Sequence, residues 1–325
     1  MTPIPPVDIV AGLFFLVALI LASEFVVKKA MKLAEATGFS GSFVGLTILS
    51  IGTSLPEIFT NVMASIGILT GKITPVVGSG LAVGTTVGSD IFQQTIILGM
   101  VAIFGCIVLT RSFLRRDVVL MIGTSILLLF FSLDGRLSPA EGGVLFFGYM
   151  VFLFTLYTEQ KKHNGEDGIE IDYHKTFVDL FWIAFGLGVM FIAAREIFIL
   201  TEHMVGAWGI SASLIGVFAI GVASALPELT TAVLALRKKC YGLSIGTLIG
   251  SNITNPALAT GLGALISGYV ISPGVLWFDM PAKVITGLVV YYFLRQLKVK
   301  KQHGMILIGL YFLYLVVRLK YYSFV

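Results

Sequence analysis

Two short stretches set a carboxylate directly after a proline in otherwise apolar sequence: GTSLPE at 52–57 and SALPE at 224–228. A proline within a helix cannot donate to the carbonyl four residues back, and its ring clashes there. Pro56 thereby frees the carbonyl of Gly52, and Pro227 that of Ala223. Helical spacing gathers more oxygens around each acid. Ser50, Ser54 and Glu57 share a stripe, with Thr53 four residues before the acid, and Ser224 stands four before Glu228. Two later blocks, VGSDI at 87–91 and IGSNI at 249–253, lead to Ser89 with Gln93 and Ser251 with Asn255. Each of these pairs lies at i, i+4 and so on one helix face. Two carboxylates, several hydroxyls, two amides and loosened carbonyls form an all-oxygen set that suits a hard cation such as Ca²⁺. Soft thiolate and imidazole ligands are missing from it.

The elements that must position this set are membrane spans. The chain is 57% hydrophobic and 12% charged, with a mean hydropathy of +0.96. A soluble protein of 325 residues could not hide that much apolar surface. Runs of roughly 20 apolar residues cross a bilayer of about 30 Å. Such runs are expected near 8–27, 42–69, 78–108, 117–133, 141–158, 177–200, 211–236, 242–269, 281–296 and 304–320. The first has neither a basic leader nor a small-residue cleavage site, so it reads as a retained span. All but six of the 22 basic residues fall on one side of this arrangement; Lys72, Arg136, Arg195, Lys283, Arg318 and Lys320 fall on the other. The positive-inside rule makes the first side cytoplasmic and puts both termini outside. For a prokaryote, the membrane is the inner one.

The chain also repeats itself. With a shift of 171 residues, Gly45, Leu55, Pro56, Glu57 and Thr60 fall on Gly216, Leu226, Pro227, Glu228 and Thr231, and Gly38, Ser40 and Ser42 on Gly209, Ser211 and Ser213. With a shift of 162, Gly84, Thr85, Gly88, Ser89 and Ile91 fall on Gly246, Thr247, Gly250, Ser251 and Ile253. The difference reads as an insertion in the loop around Lys72–Val77. Each half carries five spans, an odd number, so the halves must enter the membrane in opposite directions. Inverted repeats with interrupted helices at matching positions are an architecture of secondary transporters. The expected fold is an all-α polytopic membrane protein: ten transmembrane helices as two inverted-topology five-helix repeats. The repeats occupy 1–157 and 176–325, joined by a solvated cytoplasmic linker at 158–175. That linker has acidic residues but not the spacing of a calcium-binding loop.

A proline kink alone, or a serine bonded back to its own helix, is ordinarily structural. A carboxylate at membrane depth costs at least ~2.5–3.5 kcal/mol and usually faces an interior pathway. Two Pro-Glu pairs in repeat register, each followed by a Gly-Ser block, point to a binding site between the halves. Asp90 reads as a neighbouring or interfacial carboxylate, with a proton-linked role as the alternative. Glu24 and the Arg195–Glu196 pair read as structural or snorkelling groups. His163, His174, His203 and His303 carry no expected chemistry, and Cys106 and Cys240 read as free thiols. The basic residues cluster beside spans, which gives no nucleic-acid signal, and no obligatory protein partner or tightly bound cofactor is implied.

These motifs resemble the alpha repeats of the cation/calcium exchanger superfamily, and most closely those of prokaryotic sodium/calcium exchangers. The resemblance spans essentially the whole chain. It implies that Glu57 and Glu228 ligate Ca²⁺ with the carbonyls of Thr53 and Ser224. It further implies that Ser54, Ser89 and Ser251 form flanking sodium sites with carbonyls of Ser50 and Gly221. Three residues depart from the family pattern. Ala225 stands where a serine is usual, Gln93 replaces an asparagine, and Asn255 replaces an aspartate. They bear on the driving ion, because proton/calcium exchangers of the same superfamily also place amides near the acids. The function implied is Ca²⁺ exchange for Na⁺ by alternating access, with proton/calcium exchange as the alternative. An intramembrane hydrolase built on the paired acids would leave the hydroxyl stripes unexplained, and a passive channel would not need two buried acids.

Overall fold

The computed structural model describes residues 6–105, 109–166, 173–206, 215–297 and 299–321. Helices follow one another along the chain. They are α1 (Pro6–Thr37), a broken α2 (Gly41–Thr53 and Leu55–Leu69), α3 (Pro75–Phe104), α4 (111–131) and α5 (Pro139–Glu166). Then come α6 (Tyr173–Gly206), a broken α7 (Gly216–Ser224 and Leu226–Arg237), α8 (241–267), α9 (Val275–Leu294) and α10 (Lys301–Tyr321). Among the described residues, six helices are long and apolar enough to cross a membrane, or eight if each broken pair counts as one span. The molecule is inside out relative to a soluble protein. Phe14, Phe104, Phe154 and Phe177 are exposed on its outside, while Glu57, Glu228, Asn61, Gln93, Gln94 and Asn255 are fully buried or nearly so. Lipid makes an exposed apolar face favourable and an exposed backbone break costly.

Several expectations change in detail. The stretch 158–175 is mostly helical extension: α5 continues to Glu166 and α6 begins at Tyr173. The extra residues before α3 are also mostly helix and not loop. The second part of α2 has 15 residues against 12 in α7, and α3 starts at Pro75, further ahead of Gly84 than Tyr241 is of Gly246. The fold is not purely α. Arg136–Leu137 and Tyr269–Val270 form two short antiparallel strands, with Arg136 opposite Val270. Residues 211–214 of the expected seventh span, and Cys106, lie outside the described residues.

Two of the six basic residues assigned to the outer side are buried within helices. Lys283 lies in α9 and is 1% exposed; Arg318 lies in the last turns of α10 and is fully buried. The expected ninth span began at Pro281, a natural helix start. The helix actually begins earlier, at Val275, with Pro281 just after a π-helical turn.

The halves match at a level the sequence does not display. Single π-helical turns sit at Gly45–Leu49 and Ile215–Ile220, at Gln93–Ile97 and Asn255–Thr260, and at Leu114–Val118 and Val275–Asp279. Each pair falls in the repeat register. The match extends to the loops. The N–H of Ile271 donates to Gly135 and the N–H of Leu109 to Leu297, the same bond with the halves exchanged. Gly135 and Leu297 share a positive φ, 81° and 58°.

Packing between the halves is swapped. The first part of α2 lies on α8, and the first part of α7 lies on α3. Glycine allows this. A Cβ on Gly250 would sit 2.8 Å from Cα of Leu46 and 2.7 Å from Cβ of Ser50, and one on Gly88 would run into the main chain of Val217. Elsewhere α9 and α10 are tied by a buried pair. Arg318 Nε donates to both oxygens of Asp279 at 3.0 and 3.1 Å, and Tyr314 donates to Oδ1 at 2.7 Å.

Two stability outcomes follow. Gly250→Val forces α8 off α2 and lowers stability by about 1–3 kcal/mol. Arg318→Met leaves Asp279 buried without its cation and costs about 3–5 kcal/mol. Thermal unfolding of the detergent-purified chain measures both; an unchanged midpoint would contradict the packing described.

Candidate cation site

The breaks in α2 and α7 are alike. Ser54 and Ala225 take φ/ψ of −80°/7° and −79°/0°, and the helix axis bends there by 45° and 41°. Each break starts a new helix with proline in its first turn, where a missing N–H costs nothing. Glu57 and Glu228 therefore lie in the first turns of new helices, where the helix dipole favours a negative charge. Both are fully buried, and near enough to repel each other.

Their partners come from both halves. Ser89 of α3 donates to Glu57 Oε1 at 2.6 Å. Ser54 of α2 and Ser251 of α8 donate to Glu228 Oε1 at 3.3 and 3.2 Å. Ser224 also faces Glu57, and Thr53 faces Glu228. Thr53 Oγ1 lies 3.4 Å from Ser251 Oγ, so hydroxyls of the two halves meet at the interface. In each acid the second oxygen, Oε2, is buried with no hydrogen-bond partner. Two orphaned carboxylate oxygens on neighbouring buried acids fit a cation, because unpaired buried charge is expensive. Among the described residues, no three of His, Cys, Asp and Glu converge. A cation held here would draw its remaining ligands from neutral oxygens.

The other expected residues take less direct places. The Ser50 carbonyl accepts from the Ser54 N–H at 3.1 Å and lies 3.5 Å from the Ser251 hydroxyl. The Gly221 carbonyl accepts from Ala225 N–H at 3.3 Å and from Ser224 Oγ at 3.2 Å. Gln93 and Asn255 each begin a π-helical turn. Asn255 donates to Asp90 at 2.8 Å, and its own Oδ1 is buried without a partner. Gln93 is turned so that its amide N–H, not its oxygen, meets Ser89 at 3.0 Å.

That orientation is dictated from further away. Asn252 Nδ2 donates to the main-chain carbonyl of Leu248 at 2.9 Å, which fixes which way the amide points. It also donates to Gln93 Oε1 at 3.0 Å, while its Oδ1 accepts from Gln94 at 2.9 Å. Gln94 in turn accepts from Thr286 of α9 at 2.6 Å. Five hydrogen bonds thus run head to tail, Thr286 to Gln94 to Asn252 to Gln93 to Ser89 to Glu57, every donor aimed toward the carboxylate. Sequence reasoning missed Asn252, Gln94 and Thr286. Repeat register offered the signal for one of them, since Asn252 occupies the place of Asp90. A further polar group, Asn61, donates to the Glu57 carbonyl at 2.9 Å and to Thr86 at 3.0 Å, holding α2 to α3 below the acid. Asp90 itself is ion-paired with Lys283 at 2.6 Å. Glu24, by contrast, is a surface group paired with Lys28 at 2.9 Å.

Known proteins share both sequence and fold with this arrangement. The chain is 29% identical to the inner membrane protein YrbG of Escherichia coli, over 79% of each chain. It is 26% identical to the sodium/calcium exchanger MaX1 of Methanosarcina acetivorans, over 94% of this chain and 96% of that one. A solved structure of the sodium–calcium exchanger NCX_Mj, soaked with Na⁺ and Ca²⁺, superposes with a TM-score of 0.79 at 23% identity, covering 97% of this chain and 99% of that one. A family model described as sodium/calcium exchanger protein matches residues 8–158 and 178–320, which hold both Pro-Glu motifs and both Gly-Ser blocks. On that match, the chain belongs to the sodium/calcium exchanger protein family.

Proposed function

We propose that this chain is a secondary active antiporter that exchanges Ca²⁺ for Na⁺ across the membrane by alternating access. The observation that carries the reading is the pair of fully buried acids, Glu57 and Glu228, each with one oxygen unpartnered. In this reading Glu57 and Glu228 bind Ca²⁺ with carbonyls of Thr53 and Ser224. Ser54, Ser89 and Ser251, with carbonyls of Ser50 and Gly221, hold the monovalent ions. Gln93 and Asn255 orient Ser89 and Asp90 around them. The matched π-turns, matched breaks and exchanged loop bonds support ten spans as two inverted five-helix repeats, 1–157 and 176–325, about a connector at 158–175. The lysine and arginine distribution supports an inner-membrane placement with both termini outside.

Electrostatics couples the fluxes. With the site empty and both acids ionised, two like charges lie buried together, which is unfavourable. A closed site is therefore accessible only when Ca²⁺ or monovalent cations neutralise the pair. The moving part is α1 with α6, which pack along one another. A polar tie to the core is Ser23 to Thr230 at 2.6 Å. Gly186 lets Val26 of α1 pack against the backbone of α6, and Gly188 faces open space, so the pair can slide over the core as a unit. Proton coupling is the second reading. Ala225 lacks a hydroxyl and Gln93 presents an N–H, so each withholds an oxygen that a sodium ion needs.

⁴⁵Ca uptake into sodium-loaded proteoliposomes at equal pH tests the proposal. Uptake should follow the outward sodium gradient. Glu57→Gln should lower calcium affinity by at least about 100-fold, close to 2.8 kcal/mol. Uptake driven by a pH step but indifferent to sodium would move the chain to proton coupling, and uptake driven by neither gradient would sink the exchange reading.

A further inference from the structure

Asp90 and Lys283 form a second buried charge group one residue from the site. Asp90 directly follows Ser89, the hydroxyl on Glu57, and accepts from Asn255 at 2.8 Å. Lys283 reaches it from α9, with Nζ 2.6 Å from Oδ2. Both side chains are essentially unexposed, at 0% and 1%.

This pair is unlike the structural one between Asp279 and Arg318. There, Arg318 Nε donates to both carboxylate oxygens and a tyrosine supplies another bond. Here, the ammonium meets one carboxylate oxygen, and Asp90 takes one further bond, from Asn255. A buried ion pair does little for stability compared with well-packed neutral residues of similar volume. The repeat also shows that the scaffold does without it. In the register of 162 residues, Asp90 corresponds to Asn252 and Lys283 to Met121, and the second half is well packed with these neutral residues. Fold alone does not call for the charges.

Charge does. Fully ionised, Glu57, Glu228 and Asp90 together supply three negative charges, and Lys283 supplies one positive charge. A lysine ammonium is a compact point charge comparable to a monovalent ion. We propose that Lys283 is a tethered monovalent cation, a fixed member of the site's cation complement, so that cargo of charge two neutralises it. One Ca²⁺ then exchanges for two monovalent cations, and Lys283 holds that number at two by cancelling Asp90. The inference rests on the exchange reading above and adds its stoichiometry.

Equilibrium ⁴⁵Ca binding to the full chain in detergent tests this without requiring transport. The double-logarithmic dependence of apparent calcium affinity on sodium, added to that on proton concentration, counts the monovalent cations displaced. The wild-type sum should be close to two. Lys283→Met leaves Asp90 uncompensated and should raise it toward three. Asp90→Asn leaves the ammonium unpaired, and calcium affinity should fall at least about tenfold, as expected for one uncompensated charge acting through an effective dielectric of about 20. The double variant, Asp90→Asn with Lys283→Met, carries the neutral residues of the other half. It folds without an orphaned charge, and its sum should return to two. One common sum in all four proteins, or a wild-type sum of three, overturns the tether. Absence of calcium binding in the wild type overturns the exchange reading and the tether with it.

Discussion

Two carboxylates are buried opposite one another with one oxygen each unsatisfied, and much of the surrounding structure is arranged around that fact. Burial in a low-dielectric interior raises the energy of each charge, and proximity raises it again. Hydroxyls alone cannot remove the cost, because each hydroxyl bond in the structure goes to Oε1 and leaves Oε2 bare. Breaking α2 and α7 beside the acids adds helix N-termini, whose partial positive charge acts on the carboxylates. What remains is a deficit of positive charge. A structure with such a deficit is most stable when a cation is present, and under the proposed exchange that dependence is what links one ion's passage to another's.

The swapped packing follows from the same need. If each half kept its hydroxyls for its own acid, the halves could separate with their sites intact. Instead, Ser54 from the first half serves Glu228, and Ser224 from the second half faces Glu57. Such reach requires the first parts of α2 and α7 to lie against α8 and α3 at backbone distance. That is why glycines recur at matching places and why Gly88 and Gly250 admit no side chain. The amide chain from Thr286 to Glu57 adds direction to this frame. Because Asn252 is pinned by the carbonyl of Leu248, the whole chain points its donors at the acid, and the orientation of Ser89 is set from α8, with Thr286 of α9 at the far end.

Much of this was legible in the residues. Long apolar runs announce spans because lipid leaves no other way to satisfy a backbone. Pro56 and Pro227 announce breaks because proline has no N–H, and the two motif acids, with Ser54, Ser89 and Ser251, do come together. What stayed hidden depends on three-dimensional neighbours. The π-turns have no composition signal, since Gln93–Ile97 and Asn255–Thr260 share almost no residue types. The orientation of Gln93 depends on a carbonyl 155 positions away in sequence, reached through Asn252. The expected ninth span places Lys283 at its very start; the π-helical turn at Val275–Asp279 begins the helix earlier and carries Lys283 into its buried interior. The short strands are two residues each, too brief for any alternating pattern.

The two halves agree in their breaks, π-turns, glycines and even loop bonds, but they disagree in charge. An acid and a lysine stand on one side where asparagine and methionine stand on the other. Perfect repetition would give the site a symmetric field, with equal attraction for a cation on either flank of the two glutamates. Placing Asp90 and Lys283 on one flank breaks that symmetry without changing the net charge, because the pair sums to zero. A zero-sum pair still has a dipole, and in a medium of low dielectric a dipole so close to the site acts on whatever ion it holds. The flank near Ser89 and Asn255 therefore differs from the flank near Ser54 and Ser251, although the same hydroxyl chemistry lines both. Under the proposed exchange, ions held on the two flanks meet unequal fields, an asymmetry that repetition alone would not supply.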